Sequence, residues 1–319
     1  MAALRFLLEP IPPFRLDLTV WALKRRPKNE IDTWDGDVYR RVVVIADRPV
    51  LLQVSQKIQG NSSSLQVRAE SVRITASDQP RITAILDRLL GLRIDLTEFY
   101  AFAVRHPKLK ELVLRFKGLK PPRFTSAFEG LVNGVACQQL SLEAGLSLLN
   151  RLSRRFGLPY GKNGRVLHAF ARPEKLASAR LQTLRALGFS RNKAFALKSL
   201  SRSILAGSFN PERLYLVSNQ AAIEQLREIR GIGRWTAEYV LLRGLGRYDL
   251  FPGDDVGARN KLTKWLGLKG PMDYLGVQRA LAYLGPYRGL LYFHLLLDGL
   301  QKTGQLYQSP EFSTIAKGM

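Results

Sequence analysis

Residues 226–260 read LREIRGIGRWTAEYVLLRGLGRYDLFPGDDVGARN, and the fold of the chain turns on them. The stretch divides into a helix, a two-glycine hairpin, a second helix, a loop and the start of a third helix. Leu226 and Ile229 lie three apart before the hairpin, and Ala237, Val240 and Leu241 follow it at helical spacing. Between them stand Gly231, Ile232 and Gly233. Glycine permits positive φ and a close backbone approach, so the hairpin turns tightly and presents bare N–H groups at the next helix N-terminus. Such a terminus attracts an anion, above all a phosphate. Further on, Phe251-Pro252-Gly253 ends the connection and Asp254-Asp255 opens a new helix. Asp254 suits an N-cap, which leaves Asp255 in the first turn with its carboxylate free to face a ligand. A phosphate grip followed down the chain by a fixed carboxylate suits chemistry on a nucleic acid.

Composition points the same way. The chain has 319 residues, a length that favours two domains. Its formal charge is +23, from 49 Lys and Arg against 26 Asp and Glu. That balance favours an acidic partner such as nucleic acid. The single cysteine, Cys137, excludes an intrachain disulfide. It also excludes an all-cysteine iron–sulfur cluster, which needs four thiolates. His106, His168 and His294 lie far apart without zinc-like spacing, so no metal site of that kind is expected. No apolar run reaches the roughly 18 residues that span a bilayer. The opening MAALRFLLEPIPPF is too short, and too broken by Glu9 and prolines, for a signal peptide. The expectation is a soluble monomer, in the cytoplasm or on the nucleoid, that does not contact a membrane.

Outward from the central stretch, the hydrophobic period changes once. Residues 14 to about 75 read as β-rich. Phe14, Leu16, Leu18 and Val20 alternate as in a half-buried strand. Residues 41–45, 50–54 and 65–69 are further strands, with a turn at Asp47-Arg48-Pro49 and a loop at 60–64. From Asp78, a possible helix cap, the period becomes helical, with Ile82, Ile85, Leu86, Leu89 and Leu90 on one face. From about Asp95 the chain reads as helical to its end. Ser126 with Glu129 fits a capping box. Ser141 and Ser190 cap later helices, and Gly157 and Gly207 close them. The fold class is therefore α+β: a small antiparallel-sheet domain over residues 1–94, then an all-α domain over 95–319.

Taken together, GIGRWTA (231–237), Tyr239, Arg243, FPGDD (251–255) and the segment LRALGFSRNKA upstream resemble the helix-hairpin-helix DNA glycosylases, in particular the AlkA type of 3-methyladenine DNA glycosylase II. The resemblance covers roughly residues 95–300 well and the N-terminal part loosely; that part resembles half of a TATA-binding protein. It implies a DNA repair enzyme that flips a damaged base out of double-stranded DNA and hydrolyses its glycosidic bond, leaving an abasic site. In that picture Asp255 is the catalytic carboxylate that stabilises an oxocarbenium-like sugar and orients water. Trp235 and Tyr239, four apart on one helix face, stack on an electron-poor alkylated purine. Gly231, Ile232, Gly233, Arg234 and Thr236 grip a phosphate, mostly through main-chain N–H groups. Leu140, after the DNA-binding Gln139, supplies the wedge that fills the gap left by the flipped base. The family often holds a monovalent cation between hairpin and phosphate, and no other cofactor is implied. Relatives that also nick the strand carry a Lys where this chain has Trp235, so no lyase step is expected. A second family tryptophan, in the helix that includes His294, has no counterpart; Leu296 stands nearest. Within the class, deaminated or oxidised bases remain an alternative substrate. From another class, a non-catalytic helix-hairpin-helix DNA-binding protein remains an alternative; Asp255 and the full FPxxD loop argue against it.

Overall fold

The computed structural model describes residues 2–59, 62–162 and 164–306. Gly60 and Asn61 of the expected loop, and residues 307–319 of the expected helical domain, lie outside the described residues. The N-terminal part comprises β1 (Ala2–Leu8), α1 (Leu16–Lys24), β2 (Thr33–Trp34), β3 (Tyr39–Ile45), β4 (Arg48–Gln59), β5 (Ser62–Ser71) and α2 (Gln79–Leu90). Its strands form an antiparallel sheet in the order β1-β5-β4-β3-β2. Period-2 alternation places Tyr39, Val43, Val50, Leu52, Val54, Leu65, Val67 and Ala69 on one buried face. The β3–β4 connection is a two-residue turn at Ala46 and Asp47, both at positive φ, as the right-handed twist of a hairpin favours. Pro49, expected in that turn, instead lies in β4 opposite Val44.

Other expectations fail in this part as well. The alternation of Phe14, Leu16, Leu18 and Val20 does not mark a strand; Leu16 to Val20 belong to α1. Leu16, Val20 and Leu23 pack into the sheet core, while Leu18, Trp21 and Ala22 pack into a helical core. A helix buried on both sides carries no single apolar stripe, so its period is invisible. The edge position is filled instead by β1, which pairs with β5. Asp78, in turn, does not cap α2. Its carboxylate accepts from the Thr75 amide at 3.0 Å, closing a capping box around a short 3₁₀ turn.

The remainder is built from α3 (Thr97–Val104), α4 (Pro107–Arg115), α5 (Ala127–Cys137), α6 (Leu142–Phe156), β6 (Pro159–Lys162), β7 (Arg165–His168), α7 (Pro173–Ser178), α8 (Leu181–Ala186), α9 (Arg191–Leu205), α10 (Asn219–Glu228), α11 (Arg234–Val240), α12 (Val256–Leu266), α13 (Tyr274–Ala280) and α14 (Arg288–Lys302). Ser126, Ser141 and Ser190 accept from the amides of Glu129, Ala144 and Lys193, as their spacing predicts. Gly157 closes α6 for another reason than expected. Its backbone is extended, and an added Cβ would stand 1.8 Å from the Ala169 carbonyl oxygen. The region is not helical throughout. The β6–β7 hairpin docks on the outer face of the sheet, where Tyr160 and Ala169 meet Val42 and Leu51. Tyr160 donates to Glu70 Oε2 at 3.0 Å.

Two helical cores result. One gathers α5, α6, α9, α10 and α11; the other gathers α3, α4, α12, α13 and α14 with one side of α1. The sheet is joined to α5 by a buried ion cluster. Arg41, 1% exposed, donates to both carboxylate oxygens of Glu129 and to Asp32 Oδ1, each at 2.7 Å. Burial works against the Arg41 charge, but the two carboxylates hold its pKa well above the ordinary arginine value. Glu129 therefore serves Arg41 and the Thr125 amide, and does not complete the capping box with Ser126. Among the described residues no helix is long and apolar enough to cross a membrane.

Candidate active site

The hairpin is built as its glycines require. Gly231 adopts φ +90°, and a Cβ there would also lie 2.9 Å from the Ala196 Cβ. Gly233 is the N-cap of α11, with no side chain capping the helix and no atom within 4 Å of where a Cβ would stand. The start of α11 thus has no side-chain cap, an arrangement that suits an anion. Gly231, Gly233 and Arg234 are exposed. Ile232 points into the helical core. Thr236 is buried, and its hydroxyl accepts from Gln138 Nε2 at 2.9 Å. The Arg234 side chain is also engaged: it donates to Asp254 Oδ2 at 2.7 Å and lies 3.8 Å above the Tyr274 ring. The side chains of Ile232, Arg234 and Thr236 thus serve the hairpin itself, and what it offers outward is main chain.

The helix cap falls to the other aspartate than expected. Asp254, expected to cap, is held by Arg234. Asp255 is the N-cap of α12, and its Oδ1 accepts from the Ala258 amide at 2.9 Å. Its Oδ2 accepts from the Tyr292 hydroxyl at 3.3 Å. Burial, and the charge of Asp255, hold the Tyr292 phenol protonated and well above its usual pKa, so it acts as a donor. Asp255 therefore fixes the helix with one oxygen, while the other meets the Tyr292 hydroxyl. Lys261 lies further along α12 and donates to the Gly257 carbonyl at 3.4 Å; burial lowers its pKa, opposed by Asp255.

Trp235 and Tyr239 do share one face of α11, with ring centroids 5.5 Å apart and planes at 31°. Only Trp235 borders the cleft. Tyr239 is 3% exposed, belongs to the sheet core, and accepts a 2.8 Å hydrogen bond from Arg25 at its hydroxyl. It backs Trp235 from inside the protein, which corrects the expectation that both rings face a base. Arg25 follows α1 in a left-handed conformation, φ 65°, and also donates to Asn133. Neither Arg25 nor Tyr292 is identified as part of the site by sequence. Arg25 gives no local signal, because it arrives from the other end of the chain. Tyr292 had one: it is the aromatic polar residue in an otherwise apolar stretch two positions before His294. Leu296, the stand-in for the family's second tryptophan, is buried in the helical core.

The turn between α5 and α6 completes the arrangement. Gln139 holds a positive φ of 54° without being glycine. Leu140 is 45% exposed rather than packed in the core. Gln139, Leu140, the hairpin glycines, Trp235 and the Asp254–Asp255 pair all line one open cleft of about 900 Å³. Among the described residues no group of three or more His, Cys, Asp or Glu could hold a metal ion. The Gly231 carbonyl of the hairpin accepts from Gln138 Nε2 at 2.7 Å.

A helix start without a side-chain cap, the exposed Leu140 and the Asp255 carboxylate line one cleft of a strongly basic α+β protein, the arrangement of a helix-hairpin-helix protein. Residues 132–286 match the HhH-GPD superfamily of base excision DNA repair proteins. A DNA-3-methyladenine glycosylase of Bacillus subtilis is 30% identical over 233 residues, 73% of this chain and 77% of that protein. Among solved structures, a 3-methyladenine DNA glycosylase from Archaeoglobus fulgidus superposes with a TM-score of 0.79 at 26% identity, covering 92% of this chain and 97% of the other. A Schizosaccharomyces pombe 3-methyladenine DNA glycosylase, solved in complex with abasic DNA, superposes with a TM-score of 0.51 at 30% identity, covering 59% and 89%. The chain belongs to the HhH-GPD superfamily of base excision DNA repair proteins.

Proposed function

We propose that this protein is a monofunctional DNA glycosylase of base excision repair. It hydrolyses the glycosidic bond of flipped-out alkylated purines of the 3-methyladenine type and leaves an abasic site. The observation that carries the reading is the convergence of Asp255, the uncapped α11 terminus and exposed Leu140 on one cleft. In this reading a phosphate of double-stranded DNA sits on the main chain of Gly231, Gly233 and Arg234, and Leu140 enters the base stack. The extruded base lies against Trp235, whose indole face favours an electron-poor or cationic ring by about 0.5–2 kcal/mol. As the base leaves, positive charge develops on the sugar and Asp255 stabilises it. An alkylated base is already a good leaving group, so no second carboxylate is needed as acid. Water completes the reaction, with Asp255 orienting it. No resident cofactor takes part in these steps. A monovalent cation on the hairpin main-chain oxygens would supply charge to the bound phosphate. The protein acts as a monomer in the cytoplasm or on the nucleoid, and residues 1–94 and 95–319 are its two domains. Release of 3-methyladenine from duplex DNA treated with dimethyl sulfate tests the reading. Undiminished lesion-independent DNA binding with no base released would leave a binding protein instead.

A further inference from the structure

The wedge turn is held from two sides by residues that the chemistry above does not use. On one side the Gln138 amide spans to the hairpin: its Nε2 donates to the Gly231 carbonyl at 2.7 Å and to the Thr236 hydroxyl at 2.9 Å. On the other, the Lys193 ammonium of α9 reaches under the turn. It donates to the Ala136 carbonyl at 3.0 Å and the Gln138 carbonyl at 2.6 Å. These two oxygens end α5, where a cation is favoured by the helix dipole. Burial works against the Lys193 charge and lowers its pKa, and the two carbonyls it reaches offset that cost by accepting its hydrogen bonds. Beneath the turn, α5 and α11 approach closely at Gly134, where an added Cβ would stand 2.7 Å from Thr236 Cγ2. Between the two ties sits Gln139 at φ 54°, a conformation that costs a non-glycine residue about 1–3 kcal/mol and persists only where its surroundings fix it.

Resting on the reading of Leu140 as the wedge, we propose that Gln138 and Lys193 are positioning residues for base extrusion, which lock the wedge turn to the phosphate-gripping hairpin so that both meet DNA as one rigid unit. An apolar side chain offsets unstacking only if it arrives already placed; a turn that must be ordered on binding spends part of that gain on entropy. Gln138 couples the two functions directly, because its amide ends on the carbonyl of the glycine that shapes the hairpin. Neither residue is assigned contact with the reacting atoms.

The test separates extrusion from chemistry and from folding. Gln138→Met keeps the side-chain length and removes both donors; Lys193→Met removes the ammonium, and Lys193→Arg restores a cation. Release of 3-methyladenine is timed under single turnover from dimethyl-sulfate-treated duplex and from the same DNA as heat-denatured strands, which need no extrusion. In parallel, 2-aminopurine opposite a tetrahydrofuran abasic analogue in a duplex reports wedge entry at saturating protein. Gln138→Met and Lys193→Met are expected to slow release from duplex roughly tenfold, the order set by losing two net hydrogen bonds. Release from single strands should change far less, the 2-aminopurine response should fall, and Lys193→Arg should recover most of the duplex rate. Equal slowing on both substrates with an unchanged 2-aminopurine response would overturn the inference, because the residues would then serve overall stability alone. Leu140→Ala is the reference. If it lowers the duplex rate and the fluorescence response while Gln138→Met does neither, the tie is refuted and the wedge stands. If Leu140→Ala itself changes nothing, the wedge reading fails and takes the inference with it.

Discussion

Replacing Asp255 by Asn removes one negative charge and little else, so its effect can be worked out from the contacts. Asn caps helices about as well as Asp, and its Oδ1 can keep the bond from the Ala258 amide that Asp255 accepts at 2.9 Å. What stability loses is the favourable charge at the start of α12, about 0.3–1 kcal/mol. The reaction loses far more. A full charge about 4 Å from a developing cation, at an effective dielectric of about 20, contributes about 4 kcal/mol. That corresponds to a rate factor of about 10³. Asp254→Asn makes the natural control. It weakens a partly exposed pair with Arg234, worth at most about 1 kcal/mol, and leaves the Asp255 carboxylate in place. Single-turnover release of 3-methyladenine from methylated duplex, together with duplex affinity and melting temperature for each variant, gives the three numbers needed. Asp255→Asn should lose about three decades in rate while retaining affinity and nearly all its stability. Near-normal release by Asp255→Asn, with the loss falling on Asp254→Asn, would refute the assignment and move the chemistry to the neighbour.

Affinity for undamaged duplex should fall steeply with salt, with a slope of log K on log salt of about −0.9 per phosphate contacted; a flat response would separate the +23 charge from DNA binding. Borohydride should trap no covalent adduct during turnover, and strands should break only after alkali; an adduct that disappears in Lys261→Ala would assign the burial-tuned Lys261 amine as a nucleophile and make the protein a lyase. Arg41→Ala leaves Asp32 and Glu129 without their shared buried cation, and chemical denaturation should register a loss of about 3–5 kcal/mol; a loss below 1 kcal/mol would show that water replaces the guanidinium. Glu238 is pushed up to about 6, first by burial, while its Oε1 accepts from Tyr274 at 2.7 Å. A carboxyl whose pKa is raised on folding binds more protons when native, so its contribution to stability falls as pH rises from about 4.5 to 6. Glu238→Gln should flatten that part of the stability–pH curve; an unchanged slope would place the titration elsewhere.

What could be read from the sequence was whatever the backbone dictates locally. Gly231 announces a hairpin because few other residues tolerate its φ of +90°, and the serine caps at 126, 141 and 190 follow from spacing alone. Choices that depend on distant partners could not be read. Which of Asp254 and Asp255 caps α12 is settled by Arg234, which claims one of them from the other side of the loop. Tyr239 looks like half of an aromatic platform, yet Arg25 draws its hydroxyl inward from the end of α1. A carboxylate at Glu129 fits a capping box until a buried arginine on β3 needs it more. The β6–β7 hairpin is short, and its anchor Tyr160 makes sense only beside Val42 and Leu51 of a sheet more than a hundred residues earlier in the chain.

The burial of α1 on both sides also bears on how the chain comes apart. Leu16, Val20 and Leu23 close one core while Leu18, Trp21 and Ala22 close another, so this short helix is a party wall. Cutting the chain at the expected domain boundary near residue 94 would strip that wall from the helical core it shares, α14 among its neighbours. Neither side could then complete its own burial, and independent melting of a sheet unit and a helical unit has no structural basis. The protein should unfold cooperatively around this helix, with late loss of amide protection in α1 reporting the breakdown of both cores at once.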